Sequence, residues 1–288
     1  MVQNMTINQI KRILEKNNLS AKKMFGQNFL LNDQIIYDIC EQSNIDKSTC
    51  VIEVGPGLGF LTKELTKRAK KVLAYEIDDS MIDYLNNTFK DIDNLVIKPM
   101  DFLKANIDED ILENFSDYSK VILVANLPYY ITTPILLKVL EESKLISSMT
   151  CMMQKEVAWR ICGKPSTKDY NALSVLMQYY TNPKVIINVD KQSFYPEPDV
   201  DSSVVLIKYL EKPLCEVAST EYFKKFNRAI FTQRRKTLNN NLKSFGINKQ
   251  IIEEVLNNNN IDLNIRAEAL NVETIAKLSS AFFHATHK

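Results

Sequence analysis

Histidine is almost missing from this sequence, and the two copies present, His284 and His287, stand at its very end. A histidine general base or a histidine metal site would have to come from that terminal stretch, so neither is expected. Cysteine offers no metal site either. Cys40, Cys50, Cys151, Cys162 and Cys215 are widely spaced with no C-x-x-C pair, a pattern that argues against structural zinc and a disulfide framework and for thiols packed in the core. No apolar run approaches the roughly 20 residues of a membrane helix. The opening MVQNMTINQIKRILEKNN lacks the apolar centre of a signal peptide and the Arg- and Ser-rich character of a transit peptide. A cytoplasmic protein is the default expectation. Excess charge is lacking too: Lys and Arg number 36 against 35 Asp and Glu, so the whole-chain balance does not announce a nucleic-acid binder.

What is present suits a globular chain with one large α/β domain and a small one, at 288 residues with 45% hydrophobic and 25% charged. The chain is organised around VILVANLPYYIT at Val121–Thr132. Its first half is a continuous apolar run, the pattern of a strand buried on both faces. The run ends at Asn126, and Pro128 cannot donate to a sheet ladder. A rigid loop at the carboxyl end of a buried strand is expected, which is where open α/β sheets bind ligands. An Asn side chain and carbonyls beside a proline can grip an exocyclic amine, and a Tyr offers a face for a planar ring. A plain turn with a core Tyr would explain the same residues.

Taken in order, Met1 to Lys23 reads as a basic amphipathic helix with Ile7, Ile10, Ile13 and Leu14 on one face. FGQNFLLN comes next as a turn before a helix from Asp33 to about Ser43. Then Cys50–Gly59, CVIEVGPGLG, reads as strand, Gly-rich turn and helix start. A second strand ends at Glu76 and a third leads to Asp101. Glycines at 55, 57 and 59 let a ligand approach the backbone, and an acid ending the second strand is the usual partner of ribose hydroxyls. The turn is G-x-G-x-G, one residue shorter than the dinucleotide fingerprint. It favours S-adenosylmethionine over a nicotinamide cofactor.

Beyond the central loop, helices are expected at 134–145, 156–161 and 172–180, with strands at 150–154, 185–187 and 204–207. Gly163–Asp169 reads as a mobile loop. Pro196 and Pro198 stiffen a loop that can present Phe194 as a stacking face, or simply bury it. The boundary between a catalytic domain, 1–210, and a helical domain, 211–288, falls near Pro213. Helices are expected at 221–232, 234–243, 249–257 and 272–283. Lys224 to Lys243 holds seven basic residues and no acid, which suits phosphate contact with RNA.

The motifs together resemble the ribosomal RNA adenine dimethyltransferase family, closest to its bacterial small-subunit (16S) branch. The resemblance rests on GQNFL at Gly26–Leu30, EVGPGLG at Glu53–Gly59, NLPYYIT at Asn126–Thr132, F-x-P-x-P-x-V-x-S at Phe194–Ser202, FTQRRKTLNNNL at Phe231–Leu242 and RAEAL at Arg266–Leu270. It implies a Rossmann-like S-adenosylmethionine-dependent methyltransferase with an all-helical C-terminal domain, acting on two adjacent adenosines in the 3'-terminal hairpin loop of 16S rRNA. It implies a cofactor site of Asn28, Leu30, Gly55, Gly57, Glu76, Ile77, Asp101, Phe102 and Asn126, with Glu76 on the ribose and Asp101 on the cofactor adenine. Asn126 and Leu127 would act on the target amine, between Tyr129 and Phe194. Arg228, Arg234, Arg235 and Lys236 would contact RNA. No metal is implied, and a monomer is expected. A large-subunit methyltransferase of the macrolide-resistance type, a DNA adenine methyltransferase and a methyltransferase-fold assembly factor stay open at this point.

Overall fold

The computed structural model describes residues 5–22 and 25–287. Met1–Asn4 of the expected first helix, and its Lys23, lie outside them. The chain forms two compact units. The first takes the described residues up to Ala158 with Lys184–Lys208, and the second takes Trp159–Pro183 with the chain from Tyr209. Segment 159–183, read from sequence as part of the catalytic domain, therefore goes with the second unit.

The first unit opens on α1 (Ile7–Lys16), started by a capping box in which Thr6 and Gln9 bond each other's backbone amides. Ile10 and Leu14 are buried in a cluster with Leu19, Phe29, Leu31, Leu58 and Met81. Ile7, expected on that face, is 46% exposed because it sits in the first turn, beyond the end of this cluster. A two-residue strand, β1 (Phe29–Leu30), leads into α2 (Asp33–Gln42), capped by Asn32.

Three strands with two helices between them then run outward: β2 (Thr49–Val54), α3 (Phe60–Arg68), β3 (Lys71–Glu76), α4 (Asp79–Thr88) and β4 (Leu95–Pro99). The chain returns through α5 (Ile107–Asn114) to β5 (Lys120–Asn126), which pairs parallel with β2 on its other side. Next come α6 (Thr132–Glu142), β6 (Ile146–Gln154), α7 (Lys155–Ile161) and α8 (Ala172–Tyr180). The sheet is completed by β7 (Thr181–Val189) and β9 (Ser202–Tyr209), while β8 (Phe194–Tyr195) pairs with β1. The strand order is β4-β3-β2-β5-β6-β9-β7, parallel from β4 to β6 and antiparallel at β9. The order reverses between β2 and β5, which makes their carboxyl ends the crevice of the sheet. Both strands are apolar through their middles because helices cover both faces: Val51, Ile52, Ile122 and Leu123 are all within 1% of full burial.

Two glycines fix the first turn of the sheet. Gly59, with φ of 76°, starts α3 where a Cβ would lie 2.5 Å from the Phe89 ring. Gly57, with φ of 56°, has little room for one beside Phe29, at 3.2 Å.

In the second unit, α9 (Thr220–Ile230), α10 (Leu238–Ser244), α11 (Lys249–Asn258) and α12 (Val272–Thr286) come after α8. Phe223, Phe226, Leu242, Leu256 and Phe282 are buried among them. Helix was expected from Arg234, but Thr237 caps α10 through the Asn240 amide, and 231–237 is a turn. Buried Asn241 ties that turn down, its amide donating to the Ile230 and Gln233 carbonyls at 2.8 and 3.2 Å. The loop at 163–169 is hydrogen-bonded within the second unit. The Ser166 amide donates to Glu268 O at 2.7 Å, and Gln178 Nε2 donates to Gly163 O at 2.8 Å. Cys40, Cys50 and Cys151 are buried as expected, whereas Cys162 and Cys215 are only half-buried.

Candidate active site

Strands β2, β3 and β5 end side by side, and their carboxyl-terminal turns line one pocket. The Gly-rich turn after β2, Glu76 and Ile77 after β3, and Asn126 to Ile131 after β5 all reach it. Met100–Leu103 after β4 adds a wall, and the turn Phe25–Leu30 adds another. The pocket thus gathers Asn28, Leu30, Gly55, Gly57, Glu76, Ile77, Asp101, Phe102 and Asn126, every residue the sequence offered for the cofactor, together with Leu127 and Tyr129.

Glu76 is held rather than free. Its Oε1 accepts from the Ile77 and Asp78 amides at 2.8 and 3.0 Å, and Oε2 from the Gly57 amide at 3.2 Å. Burial pushes its carboxyl up, and these three amides oppose the shift. The Gly55 amide donates to Tyr75 O at 2.9 Å, pinning the Gly-rich turn to β3. On the other side, Asn126 Nδ2 donates to the Asn28 carbonyl at 3.2 Å. Only the NH2 end of an amide can serve a carbonyl, so the bond identifies the Oδ1 end as the acceptor left for a ligand. The Tyr129 hydroxyl shares a 2.7 Å hydrogen bond with Ser202, which fixes its ring.

Phe194 is the catalytic candidate that the structure does not bring in. It is 2% exposed, pairs opposite Leu30 across β1 and β8, and belongs to the core cluster with Ile36, Ile39, Met152 and Val204. Of the two fates the proline loop allowed, burial is the one observed, because the strand pairing turns the ring inward.

Sequence reasoning passed over Tyr130 and the Lys22–Gln27–Asp78 group. Tyr130 is 57% exposed, lines the pocket and lies against Gly26. Burial, then Asp101 and Glu76, raise its phenol, so its hydroxyl faces the acidic side of the pocket. Its place next to Tyr129 in one motif was the available signal. Asp78 accepts from Lys22 Nζ at 2.6 Å and Gln27 Nε2 at 3.0 Å. Burial works against its ionised form and these donors outweigh it, so its carboxyl stays low. Nothing local in the sequence connects residues 56 and 51 positions apart.

Arg228 at the end of α9, and Arg234, Arg235 and Lys236 in the turn after it, are all exposed in the second unit. Arg234 also pairs with Glu268 at 3.2 Å.

The pocket residues suit S-adenosylmethionine on their own chemistry. Among the described residues, Glu53, Glu76 and Asp101 line the pocket and no Lys or Arg does, which fits a cationic sulfonium, and Gly57 keeps its backbone clear. Among the described residues no group of three or more His, Cys, Asp or Glu could hold a metal, and no helix is long and apolar enough to cross a membrane.

This sheet, with its acids and its Asn-Leu-Pro-Tyr loop at the switch point, defines a Rossmann-like S-adenosylmethionine-dependent methyltransferase. The model of the ribosomal RNA adenine dimethylase family matches residues 18–282. A ribosomal RNA small subunit methyltransferase A from Bacillus pumilus is 46% identical over 274 residues, 94% of each chain, and one from Bacillus cytotoxicus is 44% identical over 280, 96% of each. Among solved structures, a dimethyladenosine transferase from Plasmodium falciparum superposes with a TM-score of 0.76 at 25% identity, covering 89% of this chain and 98% of that one. A 23S rRNA methyltransferase superposes with 0.67 at 26% identity, covering 88% and 99%. The chain belongs to the ribosomal RNA adenine dimethylase family and is an S-adenosylmethionine-dependent rRNA adenine dimethyltransferase.

Proposed function

We propose that the chain dimethylates N6 of two adjacent adenosines in the 3'-terminal hairpin loop of 16S rRNA, within the small ribosomal subunit or its precursor. It does so in the cytoplasm as a monomer and serves small-subunit biogenesis. The observation that carries the chemistry is Asn126, fixed by its own amide on Asn28 with its oxygen left free beside the pocket. The small-subunit assignment is supported by the names of relatives that align over nearly their whole length.

S-adenosylmethionine, when bound, supplies an electrophilic methyl group. The exocyclic amine of adenine is a poor nucleophile because its lone pair is delocalised into the ring. Asn126 Oδ1 and the Leu127 carbonyl accept its two hydrogens, so the nitrogen can pyramidalise and aim its lone pair. The same acceptors stabilise the positive charge that grows on nitrogen. Tyr129 gives the base a face to rest on, and stacking is worth ~1–3 kcal/mol against the cost of unstacking it from RNA. Phe194 would join as a second face only with its ring out of the core. No strong base is required, and most of the rate comes from alignment.

The test is methyl incorporation from labelled S-adenosylmethionine into unmethylated small subunits, large subunits and naked DNA. Dimethyladenosine in small subunits alone is the expected result. The 23S methyltransferase neighbour makes large-subunit transfer the second reading, and label there would replace the first. The basic turn is proposed to hold RNA phosphates. Replacing Arg234, Arg235 and Lys236 together by Ala should raise KM for the subunit about tenfold or more and flatten its salt dependence by about one for each phosphate no longer neutralised. An unchanged salt slope would remove these residues from the RNA interface.

A further inference from the structure

Glu53 is the buried acid to which the chemistry above gives no role. It lines the pocket at the carboxyl end of β2, is 1% exposed, and its Oε2 has no hydrogen-bond partner. Thr62, on α3, is close enough to ease the carboxyl downward, yet its hydroxyl makes no hydrogen bond of good geometry. The titratable groups facing Glu53 are Glu76 from β3 and the Cys40 thiol from α2. On its remaining side β5 is apolar from Val121 to Ala125. Among the described residues, none supplies a cation to the pocket wall. A buried carboxylate without a partner is costly, so an acid so placed either keeps its proton or awaits a positive ligand.

We infer that Glu53 is a specificity-determining residue that distinguishes the cationic methyl donor from its spent, neutral product by losing its proton to solvent only when the former is bound. The inference rests on the pocket being the S-adenosylmethionine site. In the empty protein burial, reinforced by Glu76, holds the Glu53 carboxyl up to about 8, so at pH 7 it is roughly nine-tenths protonated. The donor carries a net positive charge from its sulfonium. Its arrival favours the carboxylate, the O–H bond of Glu53 breaks, and the proton passes to solvent. Methyl transfer removes the sulfonium charge. Glu53 then takes a proton back from solvent, and the attraction that held the donor is absent for the product.

Calorimetry of donor binding in two buffers of different ionisation enthalpy, on the full chain and on Glu53→Gln, tests this. The ligand's own amino group titrates alike in both proteins, so their difference reports Glu53. The wild type should release up to one proton more than the variant near pH 7. Its donor affinity should rise by up to tenfold per pH unit between about pH 6 and 8, converging with the variant at the acid end. Product affinity should differ little between the two. Loss of a protonated-carboxyl band in the infrared difference spectrum of the wild type on donor binding is a second readout that needs no variant.

Stability gives a third. A carboxyl raised on folding stabilises below its unfolded pKa and loses that contribution as pH rises through the folded value. The empty wild type should therefore lose melting temperature relative to Glu53→Gln between pH 5 and about 8. Equal proton release by the two proteins, or an unchanged carboxyl band, overturns the inference while leaving the pocket assignment intact. Failure of the wild type to bind the donor at all overturns both.

Discussion

Asn126→Ala should lower the rate of methyl transfer by ~10²–10³-fold or more, the scale of losing one preorganised acceptor at the reacting centre. The cofactor's Kd should change no more than about threefold, a shift of under ~1 kcal/mol. The asymmetry follows from the two ends of one amide. The NH2 end bonds the Asn28 carbonyl at 3.2 Å and serves the pocket wall, which Gly26 packing against Tyr130 also supports. The oxygen end has no comparable substitute on the proposed mechanism, in which the Leu127 carbonyl is taken up by the second hydrogen of the target amine. Single-turnover methylation alongside calorimetric cofactor binding separates the roles. Equal losses in both would mean that Asn126 only builds the wall.

Glu76→Ala should weaken cofactor binding by about 100-fold or more and lower the melting temperature as well. Its carboxylate is 5% exposed and satisfies the amides of Gly57, Ile77 and Asp78. Each donor left buried and unmet costs ~1–3 kcal/mol, and the acid proposed to hold the ribose is lost with them. Glu76→Gln is the instructive intermediate. Its single oxygen can keep Ile77 and Asp78, but its NH2 then meets the Gly57 amide, donor against donor. A loss near tenfold is expected, with the Gly-rich turn loosened. Cofactor binding by both variants at the wild-type level would remove Glu76 from the site.

That the candidate cofactor residues line one pocket was legible because strand ends in a wound sheet converge whatever fills the gaps. Gly55, Gly57, Glu76, Asp101 and Asn126 each come after an apolar run that reads as a buried strand. The helix starts were legible where an Asn or Ser stood free to cap. They failed at Arg234, where the charge run lies in a turn ahead of the cap at Thr237. Phe194 misled because an aromatic beside two prolines looks the same whether its ring is offered or buried. Only the long-range pairing of Leu30 with Phe194 decides it. Glu53 was read as part of a fingerprint, and its missing partner became visible only with Thr62 and Glu76 around it.

The turn at Phe25–Asn28 is fastened at Asp78 and at Asn126, across sequence separations of 51 and 98 residues. On a chain made from its N-terminus, the wall that closes the methyl-donor pocket is therefore synthesised first and clasped late. A nascent chain stopped before β5 holds all the residues of the Gly-rich turn and Glu76, yet lacks the Asn126 tie for the turn that covers them. The loop-closure entropy of those long ties is met only once the central strand is in place. The wall is thus complete only once the β5 loop, which brings both Asn126 and the Tyr130 that packs against Gly26, has been made.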